Sequence, residues 1–139
     1  MGDWRSTWSD DYPAFEHVSG DLAVHGLYCL CLGDTIAAAG TVRRWPEHDA
    51  VAKWTFRHPA DLFRLGVSCE FQRRGLGALM LNHLIGEARR RGFDGLRLLV
   101  GENNVPALRL YEHAGARCVG RWTGYGVNWL CCEISYQMQ

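Results

Sequence analysis

The strongest constraint on this chain is the stretch Gln72-Arg73-Arg74-Gly75-Leu76-Gly77-Ala78 with its flanks. An apolar, strand-like run from Leu62 to Val67 leads in, and an amphipathic helical pattern from Leu76 to Arg91 leads out. The stretch therefore reads as a strand-to-helix turn. Its glycines let the main chain bend tightly and approach a ligand closely. A helix leaves its first N–H groups without internal acceptors, and its dipole is positive at that end. Those features make an anion site, to which Arg73 and Arg74 add charge. The competing reading of a short Gly-x-Gly beside arginines is a solvated turn, so the rest of the chain has to decide.

The sequence after the turn continues a strand–helix–strand unit. Leu76, Met80, Leu84 and Ala88 share one helical face, with Leu79 and a partly buried His83 on its flank. Arg89-Arg90-Arg91 suit the negative end of the helix, and Gly92 stops it. Leu96 to Val100 is a short, nearly all-apolar strand of the buried kind. Two strands joined through a helix in this way lie parallel, with a right-handed crossover. Asn104 caps a second helix with Pro106 in its first turn, and Gly115 ends it.

Ahead of this unit, Leu27–Leu32 and Ile36–Val42 read as a hairpin turning at Gly33-Asp34. Cys29 and Cys31 share one face by the period of two. The small run Ala37-Ala38-Ala39-Gly40 would let another element pack closely. Residues 43–60 read as a long functional loop containing Trp45, Pro46, Trp54 and Pro59, with a short strand near 52–56. In the next strand Asp61 alternates with Phe63, Leu65 and Val67, and Gly66 marks a bulge or a close approach. The chain closes with strands at 118–122 and 129–136, joined through Thr123-Gly124-Tyr125-Gly126. In the first 21 residues Trp4, Trp8, Tyr12 and Phe15 fall on one helical face, as a packing surface or as an aromatic wall of a pocket.

At 139 residues the chain is one domain, 1–139, able to bury a real core. Formal net charge is zero, which argues against a nucleic-acid partner. No apolar run spans a bilayer and the N-terminus lacks a signal-peptide pattern, so a cytoplasmic chain with no membrane partner is expected. The six cysteines form no C-x-x-C pair, which removes the usual zinc and redox signatures. They are expected to be reduced and mostly in the core, with no metal bound. Cys69, just before the anion turn, has the position of an activated thiol. Direct transfer without it is expected, so that Cys69→Ala keeps most activity.

The chain resembles the GCN5-related N-acetyltransferase (GNAT) superfamily in two blocks. One is Leu65-Gly66-Val67 followed by Gln72 to Ala78, similar to the acyl-CoA motif Gln/Arg-x-x-Gly-x-Gly/Ala. The other runs from Asn104 through Ala107 and Tyr111 to Ala116, similar to Asn-x-x-Ala-x-x-Leu-Tyr-x-x-x-Gly-Phe, with Ala116 in place of phenylalanine. The resemblance implies an α/β (α+β) fold with a mixed, mostly antiparallel sheet flanked by helices. The family's usual first strand and helix are expected to be missing here. The apolar surface so left is one that a second copy would cover, as a homodimer.

The resemblance further implies acetyl transfer from acetyl-CoA to the amine of a small molecule or peptide. Gln72, Arg73, Arg74, Gly75, Leu76, Gly77 and Ala78 would hold the diphosphate. The main-chain edge at Leu65, Gly66 and Val67 would hold the pantetheine arm and polarise the thioester. Asn104 and Ala107 would flank the arm and sulfur. Tyr111 would return a proton to the leaving thiolate. For the base, Asp61 is favoured over His58, and Glu70 lies too near the phosphates. A non-catalytic acyl-CoA-binding or sensing module is the alternative. A binder of another anion, nucleotide or nucleic acid, is a third reading, and the missing P-loop lysine argues against it.

Overall fold

The structure, a computed structural model, describes residues 26–136. They form strands β1 (Leu27–Leu32), β2 (Thr35–Arg43) and β3 (Ala60–Val67), helix α1 (Leu76–Arg90) and strand β4 (Leu96–Gly101). Helix α2 (Val105–His113) and strands β5 (Arg117–Gly124) and β6 (Val127–Ile134) follow. The strands make one sheet in the order β1-β2-β3-β4-β6-β5. Only β3 and β4 pair in parallel; the other neighbours are antiparallel. This is the mixed, mostly antiparallel sheet that the sequence implies. The helix expected over the first 21 residues, with its aromatic row, lies outside the described residues. Among the described residues no helix is long and apolar enough to cross a membrane.

Helix α1 buries Met80, Leu81, Leu84, Ile85 and Ala88. Its stripe thus runs through Leu81 and Ile85, while Leu79 and His83 are exposed, contrary to the flank expected from spacing. His83 meets the edge of the Tyr28 ring, 5.9 Å between centroids. In α2, the Asn104 side chain accepts from the Ala107 N–H at 3.4 Å, so the helix is capped as its sequence requires. Both helices share a core with Ala60, Leu62, Leu65 and Val67 of β3 and with Leu96, Leu98 and Val100 of β4. Each fully buried Leu of this kind contributes about 1.5–3 kcal/mol.

Two departures from regular pairing shape the sheet. First, β3 carries one extra residue against β2: Ala39 faces Gly66, but Thr41 faces Phe63. Within the bulge Arg64 takes φ +54°, a conformation that costs a long side chain energy. Gly40 lies opposite, where a Cβ would sit 2.7 Å from Leu84 Cδ1. The small run in β2 therefore does admit α1 closely. Second, β3 and β4 pair only at Ala60–Leu96, Asp61–Arg97 and Leu62–Leu98. Beyond Leu62 the strands part, although β3 continues to Val67 and β4 to Gly101.

The bulge corrects the expected alternation. Leu65 and Val67 join Leu62 in the core, whereas Asp61 and Phe63 face the other side. No strand forms in the segment before β3; it has a single short turn at Pro46–His48 and folds over that second face. The cysteines also differ from expectation. Only Cys131 and Cys132 are buried, and Cys29, Cys31, Cys69 and Cys118 are exposed thiols.

Candidate functional site

Where β3 and β4 part, their facing main-chain edges have no strand partner among the described residues. At the end of β3 the chain enters a short turn, Cys69–Phe71, and then the glycine stretch. Gln72 Nε2 donates to the Val67 carbonyl at 3.1 Å and ties the stretch back to the strand. Arg73 and Gly75 both adopt positive φ, +64° and +76°. Gly75 thereby starts α1 with no side chain over the helix end. The first main-chain bond into α1 runs from the Leu79 N–H to the Gly75 carbonyl, 3.1 Å. The N–H groups of Leu76, Gly77 and Ala78 precede it and have no carbonyl within the helix to reach.

An open cleft of about 290 Å³ lies over this helix end. Its walls are Val67 of β3, Phe71, Gln72, Arg73 and Gly75 of the turn, Leu76 to Ala78 of α1, and Pro106 and Leu110 of α2. Of the residues the sequence singles out for a cofactor, Val67, Gln72, Arg73, Gly75, Leu76, Gly77 and Ala78 meet here. Leu65 does not; its side chain is buried in the core, and with Gly66 it offers main-chain edge only. Arg74 is exposed and lies 5.6 Å over the Phe71 ring. Asn104 and Ala107 are buried and joined to each other by the helix cap. Phe71, Pro106 and Leu110 were not anticipated. The last two stand one helical turn apart, and their shared face was the available signal.

Tyr111 follows Leu110 on α2 and is 9% exposed within the core cluster. Burial, and secondarily the charge of a Cys132 thiolate, push its phenol well above the ordinary value. The hydroxyl therefore stays protonated across the physiological range.

The opposite face of the sheet is ionic. Arg43, Asp61, Arg97, Glu133 and Arg117 stand directly opposite one another across β2, β3, β4, β6 and β5, in alternating sign. Arg97 donates through Nε and Nη2 to the two Asp61 oxygens, both at 2.9 Å. Its Nη1 reaches Asp49 Oδ1 at 2.8 Å, and Arg44 pairs with both Asp49 oxygens. The Trp45 N–H donates to Asp61 at 2.8 Å, while Arg97 Nη2 also donates to the Trp45 carbonyl at 3.2 Å. Thr55 donates twice to Glu133, at 2.7 Å each. The segment 44–55 is thus strapped down on the buried charges.

This arrangement corrects the reading of Asp61 as a base. It is 2% exposed, and both oxygens serve Arg97 and the Trp45 N–H. Burial pushes its carboxyl up, against the pull of Arg97, the Trp45 N–H and Arg44. His58, the other base considered, stacks on Phe93, with ring centroids 5.0 Å apart. The strap brings Trp45 onto Phe63, 5.3 Å between centroids, and sets His48 between Trp45 and Trp122 at 6.2 and 6.4 Å. Burial first, then the Arg97 charge, lower His48 to about 4, against the pull of Asp49.

A family model described as Acetyltransferase (GNAT) family matches residues 1–116. The [Ribosomal protein bS18]-alanine N-acetyltransferase of Salmonella typhimurium is 48% identical over 56 residues, 40% of this chain and 38% of that protein. The mycothiol acetyltransferase of Beutenbergia cavernae is 36% identical over 67 residues, 48% of this chain and 23% of that one. The matched stretches thus span well under half of these curated relatives. Among solved structures, the Escherichia coli ribosomal-protein-S18-alanine N-acetyltransferase superposes with a TM-score of 0.64 at 25% identity, covering 78% of this chain and 67% of that one. An Elizabethkingia anophelis GNAT family acetyltransferase with acetyl-CoA bound superposes with a TM-score of 0.66 at 18% identity, covering 89% and 84%, which is a likeness of fold.

Proposed function

The chain belongs to the acetyltransferase (GNAT) family, and from that premise we propose that it is an acetyl-CoA-dependent N-acetyltransferase working by direct transfer to an amine. The observation that carries this reading is the cleft at the end of the parted strands, floored by the unspent N–H groups of Leu76, Gly77 and Ala78. A diphosphate needs converging donors and positive charge, and the helix end with Arg73 supplies both. The bare edge of β3 from Phe63 to Val67 measures about 13 Å at 3.3 Å per residue. It suits an extended, amide-bearing arm in the way it would suit an added strand.

Acetyl-CoA, when bound, supplies an acetyl thioester. An N–H on the open edge of β3 would polarise its carbonyl. As the N–C bond forms and the C–S bond breaks, one proton would pass from the amine to solvent water and one would reach sulfur. Tyr111 is assigned the second: burial keeps its phenol protonated, and the same rise makes it a weaker acid than a free tyrosine. Asp61, bound in its ion pair, is not assigned the first.

Calorimetric titration with acetyl-CoA, followed by thiol release with a panel of amines, tests the reading. Binding with amine-dependent release is expected. No binding at about 100 times a micromolar-range affinity, and no thermal stabilisation, would overturn it. The occupied Asp61 also favours a second reading, an acyl-CoA-binding module without turnover. Binding without release by any amine would select that one.

A further inference from the structure

The far face of the sheet, across from the cleft, carries a wall that the transfer reaction does not yet use. Phe63 is the first residue of β3 beyond its last pair with β4, so it stands at the apex of the parted strands. A diphosphate at the far end of β3 sends the reactive end of its arm back toward this apex. Trp45 covers Phe63, and His48 and Trp122 continue the surface, centroid to centroid within 6.4 Å. Trp45 is held there by its main chain. Its N–H is tied to Asp61 and its carbonyl to Arg97, the two halves of one buried ion pair.

Among the described residues, the charges around these rings are cationic or cancelled. Arg43 lies 4.9 Å over Trp45, Arg64 4.5 Å over Phe63 and Arg97 5.1 Å over Trp54. Asp49, Asp61 and Glu133 are each engaged by donors, and Glu47 is exposed on the outer turn. An alkylammonium would meet guanidinium groups already seated on the ring faces that would attract it. An ordinary alkylamine, with a pKa of about 10.4, would also need a base to take its proton. A flat amine that is neutral at working pH meets neither obstacle.

We propose that the acceptor is an uncharged, ring-bearing amine, an arylamine or arylhydrazine in class, and that Trp45 is the residue that selects it. This rests on the N-acetyltransferase reading above. Asp61 and Arg97 are then positioning residues, acting through the Trp45 main chain.

The test compares two primary amines on six-carbon rings, flat neutral aniline and puckered, protonated cyclohexylamine, in thiol release with acetyl-CoA. A kcat/KM at least about tenfold higher for aniline is expected. Trp45→Ala should raise the aniline KM about tenfold, and Trp45→Phe should recover part of it. Acetyl-CoA Kd should stay within about twofold in both variants, which also shows that they are folded. Equal or better use of cyclohexylamine would overturn the proposal. So would an unchanged aniline KM in a Trp45→Ala variant that still binds acetyl-CoA. Turnover of alkylamines or peptide α-amines alone would sink this inference and leave N-acetylation standing. Absence of acetyl-CoA binding would sink both.

Discussion

Asp61 and Arg97 face each other across the parallel β3–β4 pair through two 2.9 Å hydrogen bonds, and each is 2% exposed. Charges so far from water are stable only together. Removing one leaves the other desolvated and unpaired, which costs about 3–5 kcal/mol. Asp61→Asn is therefore expected to lose roughly that much in urea denaturation. A loss below about 1 kcal/mol would show that the pair is not structural. Replacing both partners, Asp61→Leu with Arg97→Met, should recover only part of the loss, since the Trp45 N–H and carbonyl would still lack their partners.

Tyr111 makes a different prediction, because the proposed transfer uses its hydroxyl while the core uses its ring. Tyr111→Phe should lower kcat about a hundredfold while acetyl-CoA affinity stays within about twofold. The burial that raises the phenol also keeps it protonated, so it should contribute no alkaline decline in kcat below about pH 9. An unaltered kcat in the variant would remove Tyr111 from the chemistry.

At Gly75 the main chain has φ +76° with open space around the missing Cβ. Alanine there meets no neighbour, but takes on a left-handed conformation at about 1–2 kcal/mol. Gly75→Ala should lower the melting temperature by several degrees. Acetyl-CoA binding should weaken further, by about tenfold, because the relaxed turn misplaces the helix-end donors. Equal affinity in the variant would argue that the diphosphate does not rest on this turn.

Acid should loosen the strap in two stages. His48 sits at about 4, below its ordinary 6.5. Between those values the unfolded chain takes up a proton that the folded chain refuses, so stability falls as pH drops through that window. Asp49 sits at about 2 against an ordinary 3.8, chiefly through its hydrogen bond from Arg44. Its contribution is present above 3.8 and is lost as pH falls toward 2. Asp49 is largely exposed and His48 only half-buried, so solvent trims both effects. Denaturation midpoints taken from pH 7 to pH 4 should show a shallower decline in His48→Gln than in the parent. Identical slopes would mean that His48 does not carry the first stage.

Local rules were enough to place most of the secondary structure. The hairpin turn at Gly33, the Asn104 cap, the helix from Leu76 and the apolar β4 all occur where periodicity and capping put them. Those signals are local, because each lies within a few residues of the structure it makes. The face of Asp61 was not legible, because one extra residue at Arg64 reverses the alternation and nothing beside it announces the insertion. The ionic row was hidden for a different reason. Arg43, Asp61, Arg97, Arg117 and Glu133 come from five strands, and only the finished sheet makes them neighbours. The strap shared that fate, since its order comes from partners as remote as Glu133. The anion turn was readable as a motif. Pro106 and Leu110 share a helix face that spacing shows, but only the packed fold sets that face against the turn.

The early separation of β3 from β4 puts a gap at the middle of the sheet and not at its rim. Unpaired edges at a rim invite neighbouring molecules to extend a sheet. Two edges that face each other across a gap admit only a guest of bounded width, so this opening favours a slender ligand over another chain's strand.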